Sequence, residues 1–224
     1  MGTRRFHNDP LKRIQADLKR LTKPGNGLLL AVSGGSDSTG LIYTASRFAK
    51  QLRLKLAIGF IDHGLRAEVK REFALVERHG DRLGVPVHYA AAAPADVAMS
   101  SISGSVQDWA RKVRYALLTQ MAQELSIHTI ATGHTQDDQA ETVLLRLVRG
   151  TGMDGLSGIP EQRGLSNGIS AIRPLLRVTR QELRDYLTSV NATWVDDPSN
   201  RDQRFLRVRM RREVLPLLRS MQPA

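Results

Sequence analysis

The chain has 224 residues, 41% of them hydrophobic, with no cysteine and a formal net charge of +11. That length buries one substantial core plus a small appendage, and the absence of thiols excludes disulfides, thiolate metal sites, iron–sulfur clusters and a cysteine nucleophile. A basic balance suits polyanionic partners, while apolar runs such as Leu28–Val32 fall far short of the roughly 20 residues of a membrane helix and the N-terminus lacks an apolar targeting core, so the expected location is cytoplasmic.

Asn8 or Asp9 before Pro10 is a helix start, and PLKRIQADLKRL holds apolar residues near helical spacing until Pro24 and Gly25. This gives a basic N-terminal helix within residues 1–24, where seven Lys and Arg face two acids. LLLAVS, from Leu28, is a continuous apolar run of the kind found in a strand covered on both faces. TGLIYTASRFAKQL reads as a helix, KLAIGFID as a second strand, and AEVKREFALVERHGDRLG as a helix closed by Gly84. PVHYAA is a third strand, SVQDWARKVRYALLTQMAQEL a long amphipathic helix, HTIATGH a fourth strand, and QDDQAETVLLRLVRG a helix ending at Gly150. Residues 25–150 therefore form an α/β unit, a doubly wound parallel sheet with right-handed crossovers and its site at the C-terminal strand ends.

Beyond Gly150 the texture changes. TGMDGLSGIPEQRGLSNG is glycine-rich without apolar periodicity and reads as a long loop. ISAIRPLL is a short strand, TRQELRDYLTSV a capped helix, and a turn at DDPSN precedes an arginine-rich helix. Residues 151–224 carry this loop and a small basic helical extension, in which Arg204, Arg207, Arg209, Arg211 and Arg212 crowd together. Arginine suits phosphate because its planar fork bonds two oxygens; a solvated helix face laced with ion pairs is the alternative.

Four motifs lie at strand ends or on the long helix. In Ser33-Gly34-Gly35-Ser36-Asp37-Ser38 the glycines admit backbone N–H groups to an anion, hydroxyls add donors, and the next helix points its positive end inward. The Walker lysine is missing, and Asp37 would repel a bare phosphate, so it acts through a divalent cation carried by a nucleotide. A tight strand-to-helix turn is the plainer reading. In GHTQDDQAET, Asp137, Asp138 and Glu141 fall on one helix face or two adjoining ones, where they could hold a metal or a cationic substrate or simply complement the helix dipole. His134 stands just before them. Asp62-His63-Gly64-Leu65-Arg66 closes the second strand, and RKVRY puts Arg111 and Arg114 three apart on the long helix.

SGGSDS resembles the pyrophosphate loop of the N-type ATP pyrophosphatases (the PP-loop family), which cleave ATP between the α and β phosphates. The ordered set AVSGGSDS, IDHGLR, ARKVRYALL, ATGHTQDDQAETVLLRLVRGTGMDGLSGI, IRPLL and WVDDPSNRDQRFLRVRMRREVLP is similar to the tRNA(Ile)-lysidine synthases from about Leu28 to Leu218. The resemblance implies a Rossmann-like sheet of the adenine nucleotide alpha hydrolase type. It also implies adenylation by ATP of C2 of the wobble cytidine in the CAU anticodon of tRNA(Ile), followed by attack of free lysine to give lysidine. On that footing Ser33, Gly34, Gly35, Ser36, Asp37, Ser38, His63 and Arg66 would bind ATP, and Asp37 and Asp138 would hold Mg²⁺. Asp137, Asp138 and Glu141 would bind lysine and, with Asp37, His134 and Arg114, serve the chemistry. Arg111, Arg114, Arg173, Arg204, Arg207 and Arg211 would meet tRNA. A sulfur-transferring tRNA enzyme would need cysteines, a small-molecule amidating enzyme would leave the basic ends unexplained, and an RNA-binding module would not require SGGSDS and GHTQDDQAET together.

Overall fold

A computed structural model describes residues 9–64, 69–93, 106–152, 156–196 and 206–221. Helix α1 (Pro10–Leu21) is capped by Asp9, whose side chain accepts from the Leu11 amide at 2.9 Å. It buries Ile14 and Leu18 in the main core and so is part of the same packed body as the sheet.

Strands β1 (Gly27–Val32), β2 (Lys55–Asp62), β3 (Val87–Ala91), β4 (Thr129–Thr132), β5 (Gln162–Gly164) and β6 (Ser170–Ile172) form one sheet in the order β3-β2-β1-β4-β6-β5. All pairs are parallel except β5 with β6. Crossovers run through α2 (Ser36–Leu52), α3 (Val69–Leu83), α4 (Val106–Glu124) and α5 (Gln136–Val148). Period-two geometry sends alternate residues of a strand to opposite faces. Leu28, Leu30 and Val32 accordingly join one core with Ile42, Phe60, Val76 and Leu183, while Leu29 joins a second with Leu118, Met121 and Ile130. The continuous apolar run at β1 is thus a strand buried on both faces, as its composition predicts.

The glycine-rich stretch after Gly150 departs from the expected loop. It contains β5, a three-residue antiparallel edge strand with every residue exposed. After β6 come α6 (Arg180–Ser189), capped by Thr179 and Glu182, then α7 (Leu206–Arg209), a π-helical turn (Met210–Val214) and α8 (Leu215–Met221).

Strand order reverses direction between β1 and β4, since the chain winds outward from β1 to β2 and β3 on one side, and after β4 it builds the other side from the edge strand β5 back to β6. A crevice opens at such a switch point, beyond the C-terminal ends of the two strands. The loop Ser33–Gly35 follows β1, and Gly133–Thr135 follows β4.

Candidate active site

The β1 loop turns at Gly34, whose φ of +81° is open to glycine. Ser38 ties the turn together: its hydroxyl donates to the Gly35 carbonyl at 3.0 Å and accepts from the Ser33 amide at 3.2 Å. The Val195 amide donates to the Gly34 carbonyl at 3.0 Å, pinning the loop from outside. Helix α2 begins at Ser36, so its first-turn N–H groups and positive dipole end face the crevice. This arrangement suits an oxyanion.

The β4 loop lies against that first turn. A Cβ on Gly133 would stand 2.9 Å from the Asp37 carbonyl oxygen and 3.1 Å from the Ser38 nitrogen. Only glycine allows the two loops this approach, which brings Asp37 to the acids of α5.

Asp138 does two jobs. Its Oδ2 caps α5 by accepting from the Thr135 amide at 2.8 Å and hydroxyl at 3.0 Å, while Oδ1 faces the crevice. One oxygen thus caps the helix, as the helix-dipole reading has it, while the other is held by an arginine. Glu141, fully buried, faces the same space from one turn further on. Asp137 turns elsewhere: its oxygens accept from the Arg180 amide at 2.7 Å and the Arg219 guanidinium at 2.9 Å. It therefore fixes the start of α6 rather than joining Asp138 and Glu141.

The acids are matched by arginines. Arg180 spans Asp37 (2.8 Å) and Asp138 (3.3 Å) and reaches Glu141 at 3.5 Å. Arg207 bonds Glu141 at 2.7 Å and Asp138 at 2.9 Å, and Arg211 bonds Glu141 at 2.6 Å. Burial pushes the Asp37 carboxyl up against the pull of Arg180. Burial also opposes the Asp138 carboxylate, yet Arg180 and Arg207 outweigh it and hold its pKa below the usual range.

His134 sits between this cluster and a second one. Its Nδ1 is 2.8 Å from the Thr132 hydroxyl. Burial, then Arg173, Arg111 and Arg207, outweigh Asp138 and lower its pKa to about 4, which leaves a neutral imidazole at pH 7. In that second cluster Arg111 and Arg163 lie over the Tyr115 ring, 5.2 and 5.1 Å from its centroid. His63 and Arg114 meet at the mouth, with Nε2 3.1 Å from the guanidinium.

The predicted residues thus converge in large part, with three corrections of position. Arg207 and Arg211, expected on tRNA phosphates, are seated on Asp138 and Glu141 instead, because those buried carboxylates need cations. Arg173, expected on the same phosphates, is 2% exposed and donates to the Pro160 carbonyl. Asp137 is engaged away from the buried acid pair. Arg66 and Arg204 lie outside the described residues. Sequence reasoning missed Arg180, whose signal was available: a cation at the first position of a capped helix opposes the dipole, and so requires a nearby anion.

Among the described residues no three acids or histidines are arranged to hold a metal ion alone. Mg²⁺ characteristically takes one or two carboxylates together with nucleotide phosphates and water. Asp37 and Asp138, now bridged by the Arg180 cation, fit that role for a metal arriving on a nucleotide.

Comparison with known proteins identifies the family and the fold. The PP-loop domain family matches residues 9–218. Curated proteins named tRNA(Ile)-lysidine synthase are similar: that of Ruegeria pomeroyi is 40% identical over 195 residues, 87% of this chain and 45% of its own length. That of Symbiobacterium thermophilum is 40% identical over 199 residues, 88% and 41% respectively. The chain thus spans less than half the length of these two relatives. Among solved structures, the U34-tRNA thiolase NcsA from Methanococcus maripaludis, with its 4Fe-4S cluster, matches with a TM-score of 0.80 at 15% identity, over 97% of this chain and 75% of that one. An NH3-dependent NAD synthetase from Campylobacter jejuni matches with a TM-score of 0.55 at 15% identity, over 96% and 86%. These two share the fold.

Proposed function

The chain belongs to the PP-loop domain family, and on that premise we propose that it catalyses ATP-dependent ligation of free lysine to C2 of the wobble cytidine in the CAU anticodon of tRNA(Ile). The cytidine O2 attacks the α-phosphorus of ATP and pyrophosphate leaves. The lysine ε-amino group then adds at C2, the C2–O bond to AMP breaks, and the amine gives up its protons.

One observation carries the reading: Asp138 and Glu141 form a buried carboxylate pair to which three guanidinium groups are already drawn. A substrate ammonium satisfies the same electrostatics, entering in exchange for a guanidinium. The names of the similar proteins support lysine as that cation and tRNA as its acceptor.

Within this scheme the Ser33–Ser38 turn and the α2 N-terminus cradle the phosphates. Asp37 and Asp138 would hold Mg²⁺, which would supply positive charge to the phosphate oxygens. Glu141 and Asp138 position the amine, which attacks only once deprotonated. His134, neutral at pH 7, stands beside the reacting groups without adding charge to them. His63 and Arg114 flank the mouth.

The test is pyrophosphate release from ATP by the chain given tRNA(Ile) with a CAU anticodon, with and without lysine, while labelled lysine is followed into RNA. Incorporation into that tRNA, and not into methionyl CAU tRNA, is the expected result. Turnover that depends on ammonia or glutamine instead of lysine would overturn the assignment.

A further inference from the structure

We propose that His79 is a positioning residue for the phosphate turn: by holding the Thr193 carbonyl it fixes a strap of residues 192–196, whose Val195 amide sets the direction of the Gly34–Gly35 peptide. The inference rests on the ATP use proposed above and names what keeps the cradle facing its ligand.

The chain after α6 runs back along α3 to the turn after β1. Arg82 of α3 donates to the Val190 carbonyl at 2.9 Å and to the Asn191 carbonyl at 3.0 Å. His79, about one turn earlier on the same helix, is 4% exposed. A carbonyl can only accept, so Nε2 carries the ring proton and donates to Thr193 at 2.9 Å, while Nδ1 accepts from the Tyr43 hydroxyl at 3.0 Å. Burial, with Arg82 and Arg78 nearby, outweighs the Thr193 bond, lowers the pKa of the ring and keeps it neutral at pH 7. Its two partners thus select one tautomer.

Two residues past Thr193, the Val195 amide donates to the Gly34 carbonyl at 3.0 Å. At the end of the strap, Arg184 of α6 lies 3.6 Å from Asp196 and 3.5 Å from the Ser36 hydroxyl. Helix α3 also backs the turn directly: a Cβ on Gly34 would stand 3.5 Å from that of Glu72, two turns before His79. One helix therefore references both the turn and the strap outside it.

The Gly34–Gly35 peptide is trans, with its C=O and N–H on opposite sides. Because Val195 draws the Gly34 carbonyl outward, the Gly35 N–H points away from the strap. Rotating this peptide by half a turn would exchange the two groups and offer an anion a carbonyl oxygen in place of a donor. With a side chain at position 35 the rotation would be resisted, since it makes φ of that residue, −75° here, positive. Glycine does not resist it. The freedom that admits the cradle admits its inverse as well, and a bond from outside selects between them. A role of His79 confined to packing would cost stability without distinguishing ligands, whereas a positioning role weakens phosphate binding in particular.

The test compares three variants. His79→Leu removes both ring bonds, His79→Gln retains a side-chain donor for Thr193, and Val195→Pro deletes the amide at the turn while leaving His79 and its partners in place. Calorimetry measures affinity for Mg-ATP and for adenosine, and thermal melts report folding. The expected result for His79→Leu and Val195→Pro is roughly tenfold weaker Mg-ATP binding, the loss of about one hydrogen bond to a charged group, with adenosine affinity changed by less than about twofold. His79→Gln should recover most of the Mg-ATP affinity. Parent-like Mg-ATP affinity in Val195→Pro would overturn the inference whether or not His79→Leu folds. Equal losses for Mg-ATP and adenosine, or no recovery in His79→Gln, would reduce His79 to packing and overturn it too, leaving ATP use standing. A parent chain that binds no Mg-ATP would overturn both this inference and the function it rests on.

Discussion

Two arginine clusters flank His134, and they are opposites. On one side Arg180, Arg207 and Arg211 neutralise Asp37, Asp138 and Glu141 at distances of 2.6 to 3.5 Å. On the other, Arg111 and Arg163 lie over one phenol ring and Arg173 meets the same phenol, and none of the ion pairs described above includes them. The same side chain closes one site and charges the other. A net charge of +11 therefore says little until each guanidinium is placed. What counts is how many remain after the internal acids have taken theirs.

Breaking the closed side has the largest effect. Glu141→Gln leaves three guanidinium groups facing one carboxylate fewer at a fully buried position. Removing one partner of a buried pair costs about 3–5 kcal/mol, and lysine transfer should fall by at least about 100-fold (; two decades are about 2.7 kcal/mol). Urea denaturation with labelled-lysine incorporation checks both. Adding Arg211→Met to Glu141→Gln should recover part of the stability and none of the transfer, since the repulsion is relieved but the lysine site is not rebuilt.

Gly133→Ala comes next, because it separates the two loops that bring Asp37 to the acids. The new Cβ meets backbone at 2.9 to 3.1 Å, and backbone cannot rotate away as a side chain can. A shift of a few tenths of an ångström at the phosphate cradle should lower ATP-dependent pyrophosphate release on the order of tenfold or more. Unchanged release would mean that the β4 loop moves freely and that its contact with α2 does not position Asp37.

These two positions also mark how far the sequence could be read. Strands β1 and β2 were legible because an apolar run bounded by glycine or charge is a local signal. The phosphate turn and the acids of α5 were legible for the same reason, each fitting within ten residues. Strand β5 was not, since its three residues QRG are all exposed and carry no alternation. Nor was the pairing of cations with acids. Arg207 lies 66 positions from Glu141 and Arg180 lies 143 from Asp37, so their meeting depends on the packing of α6 and α7. Arg173 illustrates the limit most clearly: its charge and the resemblance suggest a surface cation, but the turn after β6 takes it inside among Ile172, Leu175 and Leu176.

His134 reports on both clusters at once, through its pKa of about 4. A depressed histidine binds fewer protons folded than unfolded, so between about 6.5 and 4 the unfolded state gains the proton first. Its contribution to stability is complete above pH 6.5 and is lost as pH falls toward 4, at no more than about 1.4 kcal/mol per pH unit. Asp37, raised by burial, runs the other way above its ordinary 3.8, and Asp138, lowered, acts only below 3.8. His134→Gln should therefore flatten the denaturation midpoint between pH 6.5 and 4 relative to the parent chain.

The smallest effect is the most discriminating. Arg111 holds the His134 pKa down and Asp138 holds it up. In an NMR titration of the His134 ring, Arg111→Gln should raise its pKa and Asp138→Asn should lower it further. If both substitutions moved it in the same direction, burial alone would govern the ring. The two clusters would then be electrically separate, and His134 would not be the group that joins them.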